Sequence, residues 1–150
     1  MTNNTILDLT YDAVWEPELI PSGEEVTLSV VAAGVHVSMN SGNASLKVVF
    51  KPISPGHERA PLITRFFSIP SKEELAAHST GTGEMAERCN MKLRALKRFE
   101  EAFSISQGPH DLSDPSDNDY TGAEGTAIVD IESQEGFPDR NVIKYFMNGM

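Results

Sequence analysis

A period of two runs through residues 26–69 and breaks only where turn residues stand, which commits this part of the chain to an antiparallel sheet. Val26, Leu28, Val30 and Ala32 share one face of a first strand, and beyond Gly34 the apolar set becomes Val35, Val37 and Met39, one residue out of phase. A phase change at a glycine predicts a bulge or sharp coil, the device by which a long strand bends around a small barrel. Asn40-Ser41-Gly42-Asn43 has the chemistry of a hairpin turn, and Leu46, Val48 and Phe50 then alternate with Lys47, Val49 and Lys51 in a second strand. Both lysines are expected to face away from the core. A loop rich in Pro, Gly and charge over 52–61 leads to a third strand over 62–69. There Leu62, Thr64 and Phe66 oppose Ile63, Arg65 and Phe67, and the pattern leaves open which phenylalanine points outward.

The period changes downstream. Over 84–103, Met85, Cys89, Leu93, Leu96, Phe99 and Phe103 fall within one arc at helical spacing, with Thr82-Gly83-Glu84 as the cap. Arg94, Lys97 and Arg98 lie opposite that arc, where a solvated outer face is the ordinary outcome, and Arg88 and Lys92 flank it. Residues 106–124 hold five acids, no base and the breakers Gly108, Pro109 and Pro115, which reads as a mobile acidic loop. Two strands follow, over 125–132 with Ala127, Val129 and Ile131 on one face, and over 140–147. Residues 1–25 carry six acids and no base, an irregular acidic lead-in tacked to the core by aliphatic anchors and by Trp15. The remainder, 26–150, is one domain of ordinary size.

Charge is segregated along the chain. The protein carries a net −10, yet residues 26–70 hold Lys47, Lys51, Arg59 and Arg65 against the single acid Glu58. A locally basic sheet in an acidic protein suits a polyanion binder that must avoid indiscriminate sticking, since the local field governs binding. No export leader or membrane-length apolar run is present in the sequence, and the lone Cys89 forms no intrachain disulfide, so a cytoplasmic setting is expected, that of the host cell if the protein is viral.

Three antiparallel strands, a helix and a closing hairpin make up a mainly β fold, and their order is that of a five-stranded OB-fold-like barrel with one α-helix between strands 3 and 4. An open five-stranded sheet packed on a helix has the same order. Leu19-Ile20-Pro21-Ser22-Gly23, Ser41-Gly42-Asn43-Ala44-Ser45-Leu46-Lys47-Val48-Val49-Phe50, Gly122-Ala123-Glu124-Gly125-Thr126 and Asp139-Arg140-Asn141-Val142-Ile143-Lys144-Tyr145-Phe146 together resemble a family of small phage proteins. That family is similar to single-stranded-DNA-binding proteins. Where such proteins commonly carry a lysine near the Gly122 turn, this chain has Ala123-Glu124. The resemblance implies single-stranded DNA as ligand, replication or recombination proteins as partners, no catalysis and no cofactor; a homo-oligomer is compatible with it.

A sequence-tolerant single-strand binder needs cations along the phosphates and aromatic faces for the bases. Lys47, Lys51 and Arg65 are expected to contact phosphates, and Phe67 or Tyr145 to stack, with Arg140 and Lys144 completing the basic set. Phe50 and Phe66 are by strand statistics core residues, and Trp15 an anchor over the barrel end. No catalytic set stands out. Asp117-Asn118-Asp119-Tyr120-Thr121-Gly122 opens like a calcium loop, but Ile128 occupies the position of the required glutamate. The four histidines are scattered without ligand spacing, so no metal is expected. Gly81-Thr82-Gly83 is too short for a phosphate loop, and Cys89 belongs to the helix's apolar arc. The competing function is a structural or adaptor β-barrel protein of a phage, which would present an exposed apolar patch and act through protein contacts.

Overall fold

The computed structural model describes residues 14–106 and 120–147. Seven elements follow in order: β1 (Glu25–Val37), β2 (Ala44–Pro52), β3 (Ile63–Ser68), α1 (Lys72–Thr80), α2 (Glu84–Ala102), β4 (Glu124–Gln134) and β5 (Phe137–Met147). The strands form one antiparallel sheet in the order β3-β2-β1-β4-β5, with two helices between β3 and β4. Long β1 is shared. Its first part pairs with β4 from Glu25↔Ile128 to Ser29↔Glu124, while its ladder with β2 runs from Leu28↔Pro52 to Val37↔Ala44.

The phase change in β1 is real but stands earlier than expected. Pairing passes from Val30↔Phe50 to Ala32↔Val49, so the extra residue is Val31 and not Gly34. Ala33, opposite Val48, succeeds Val30 on the core side, and Ala32 turns outward. The groups left by the irregularity are taken by the turn before β4. Gly122 N–H donates to the Val30 carbonyl and Val30 N–H to the Ala123 carbonyl, each at 2.8 Å.

The core is a layer of inward side chains closed by α2. Val26, Leu28, Val30, Leu46, Val48, Phe50, Ile63, Phe67, Ala127, Val129 and Ile143 are buried from the sheet. Phe99 lies at their centre, its ring 4.9 Å from Phe67, 5.1 Å from Phe103, 5.6 Å from Phe146 and 5.7 Å from Phe50. Tyr120 stacks on the same ring at 5.9 Å and donates to Glu100 Oε2 at 2.8 Å. Ile20 is the buried anchor of the lead-in, whereas Trp15 is half exposed with the Arg59 guanidinium 5.4 Å from its ring centre.

Two expectations about architecture are corrected. The sheet is not closed into a barrel: among the described residues no ladder joins β3 to β5. Side chains occupy that seam instead, with the Phe67 and Phe146 rings stacked at 6.0 Å and the Arg65 guanidinium 5.1 and 5.8 Å from their centres. There are also two helices, not one. Ser71 and Glu74 form a capping box, with Glu74 N–H donating to Ser71 Oγ at 3.1 Å and Ser71 N–H to Glu74 Oε1 at 2.9 Å, and Gly81 ends α1 at φ 75°. Lys92 of α2 holds Glu74 at 2.8 Å. The expected arc of α2 holds at Cys89, Phe99 and Phe103, but Met85 is exposed, and Gly83 caps the helix without a side-chain hydrogen bond. The acidic loop lies largely outside the described residues, as does most of the acidic lead-in.

Candidate nucleic-acid interface

Alternation along β2 puts Leu46, Val48 and Phe50 inside and leaves Lys47 and Lys51 exposed on the outer face, as expected. Lys47 pairs with Gly34 on one side and Phe66 on the other, so it stands beside a bare backbone and an aromatic ring. Phe66 is 51% exposed and makes an edge contact with His36 at 5.7 Å. None of the residues in 32–36, β2 or β3 is an acid, so this outer face carries positive charge alone.

A second basic cluster lies at the open seam. Arg65, Ala95, Arg98, Lys144, Tyr145 and Phe146 line a cavity of about 460 Å³ between β3, α2 and β5. Arg65 shares the inward face of β3 with Ile63 and Phe67 and is half-buried; burial pulls its pKa down, though a guanidinium stays charged. Lys144 of β5 is presented by a second bulge. Pairing passes from Ile128↔Tyr145 to Val129↔Ile143, leaving Lys144 as the extra residue, and Lys144 and Tyr145 are both exposed. Among the described residues, no carboxylate stands within ion-pair distance of Arg65, Arg98 or Lys144. Asp130, whose pKa is lowered first by the Ser22 hydroxyl and then by the Ile131 N–H, feels Lys144 only weakly.

The seven residues singled out in the sequence therefore separate. Lys47 and Lys51 belong to the outer face, while Arg65, Lys144 and Tyr145 belong to the seam. Phe67 is 2% exposed, packed against both Phe99 and Phe146, and has no face to offer a base; that role is corrected. Phe66, expected in the core, is the outward ring. Arg140 is matched by Glu132, whose Oε1 accepts from Nη2 at 2.5 Å and from Nε at 2.8 Å. Sequence reasoning missed His36 and Phe66 on one face and assigned Arg98 to bulk solvent. The run from 26 to 70, with Glu58 as its single acid, was the available signal for the outer pair.

No family model matches the chain, and neither does any curated protein. Among the described residues no helix is long and apolar enough to cross a membrane, and no three His, Cys, Asp or Glu side chains gather where they could hold a metal ion. Cys89 is buried, which pushes its thiol pKa up, against a nucleophilic role. Ser54, His57 and Glu24 form a polar chain, with His57 Nε2 2.5 Å from Glu24 Oε2 and Nδ1 2.9 Å from Ser54 Oγ. Ser54 Oγ accepts from Thr27 N–H at 3.1 Å, so the chain fastens the loop after β2 to β1.

Proposed function

We propose that the protein binds single-stranded DNA without sequence preference and without catalysis, on an OB-type sheet opened between β3 and β5. A bulged first strand shared by β2 and β4 supports that fold assignment. The observation that carries the function is the outer face, where an exposed Phe66 stands across from Lys47 and in edge contact with His36, with no carboxylate in 32–36, β2 or β3 of a −10 protein. An aromatic face beside a cation is what a base and its phosphate require, and binding of this kind tolerates any sequence. The resemblance to phage single-strand binders points the same way, and with it to service in replication or recombination.

Fluorescence anisotropy of a labelled oligo-dT, with a duplex of equal length as control, tests the proposal. Saturable binding that is weaker on duplex and falls with added salt is the expected result. Absence of binding at low salt overturns it. The adaptor reading would then take its place, favoured by the apolar tip of the β1–β2 hairpin, where Val37 is exposed and Met39 is 100% exposed.

A further inference from the structure

We infer that the open seam between β3 and β5 is a phosphate pocket on the same binding path: a strand leaving the outer face crosses the β3 edge and sets a phosphate among Arg65, Arg98 and Lys144. This rests on the proposed function and extends it to a second surface. β3 is an edge strand of the sheet, and its side chains alternate between faces, so Phe66 on the outside and Arg65 at the seam are consecutive residues. A chain bound at Phe66 has one strand width to cross.

The chemistry of the cavity suits that ligand. Three elements each contribute one cation: Arg65 from β3, Arg98 from α2 and Lys144 from β5. Arg65 is held over Phe67 and Phe146, so its guanidinium is oriented before any ligand arrives. A half-buried cation without a carboxylate partner among the described residues bears desolvation that an incoming anion offsets, and the planar guanidinium fits phosphate oxygens in pairs. Ala95, one turn before Arg98 on α2, leaves room beside it. Tyr145, 54% exposed at the mouth, offers a ring to the attached base. The volume of about 460 Å³ matches a nucleotide-sized group.

The test uses the full chain and salt titration of oligo-dT binding. Arg98 and Lys144 are exposed, so Arg98→Gln/Lys144→Gln should fold as the parent does, and Lys47→Gln reports on the outer face. Each phosphate neutralised on a single strand contributes about 0.7 to the slope of log affinity against log salt, so with one phosphate in the pocket the double variant should lose up to about 0.7 and bind roughly tenfold more weakly at low salt. An unchanged slope in the double variant, with a reduced one in Lys47→Gln, overturns the pocket and leaves the outer-face proposal standing. If the parent protein binds no oligonucleotide, the function proposal fails, and tripolyphosphate decides the pocket by itself. Amide NMR shifts at Arg65, Lys144 and Tyr145 on adding tripolyphosphate, absent in the double variant, would then support a site for free phosphate groups; no shifts would overturn it.

Discussion

Lys47 of β2 stands directly across from Phe66 of β3, both on the outer face of the sheet, whereas the neighbouring pair Leu46↔Phe67 lies in the core. Adjacent phenylalanines therefore have separable duties. Phe66→Ala should cost about 1–3 kcal/mol of single-strand affinity, the usual contribution of one stacked base, with little change in melting temperature. Phe67→Ala should instead cost roughly 3–5 kcal/mol of folding stability, because it empties a site packed against Phe99. Anisotropy and thermal melting on the same two variants check both halves.

Asn141 ties the lead-in to the sheet. Its Oδ1 accepts from Ile20 N–H and its Nδ2 donates to the Ile20 carbonyl, both at 2.9 Å, with a further bond to the Asp130 carbonyl at 3.2 Å. Asn141→Leu leaves a buried N–H and carbonyl without partners, at about 1–3 kcal/mol each, so a loss of roughly 2–6 kcal/mol is expected in chemical denaturation. Hydrogen exchange at the Ile20 amide should rise by more than exchange at the centre of β2.

What could be read in advance follows from which features are local. The outward placement of Lys47 and Lys51 depends on a period of two within one strand, and it was legible. The parity of Phe66 and Phe67 was not, because Leu62 and Phe66 are as apolar as Ile63 and Phe67; only the pairing with Leu46 puts Phe67 inside. α1 has no apolar stripe, and its legible signal was the Ser71 and Glu74 cap with Gly81 at the far end. The seam pocket was hidden for a different reason. Arg98 lies on the polar side of α2 and meets Arg65 and Lys144 only through tertiary packing, and whether two edge strands close a sheet is not encoded in either strand alone.

Gly125 of β4 packs against the C-terminal end of α2. A Cβ there would stand 2.7 Å from the Ala102 carbonyl oxygen and 2.7 Å from Phe103 Cδ1, and the first of these is backbone. Gly125→Ala should destabilise the protein by about 1–3 kcal/mol, as overpacking does, and thermal melting reads it directly. Affinity for oligo-dT, measured well below the melting temperature, should be unchanged, since neither basic face includes Gly125.

Acid should loosen the helical hairpin through Glu74. The hydrogen bond from the Lys92 ammonium, followed by that from the Ser71 N–H, drives its pKa down to about 2. A folded-state pKa below the ordinary carboxylate value means that the stabilisation is fully present above that value and fades as pH falls toward 2. Glu74→Gln removes the charge at every pH, so its α1 should be less protected than the parent's at pH 7 and should lose little more on acidification. Amide exchange across 72–80 between pH 7 and pH 3, in parent and variant and corrected for intrinsic rates, tests this. Parallel pH dependences in the two proteins would mean that Glu74 is not the group that couples α1 to proton uptake.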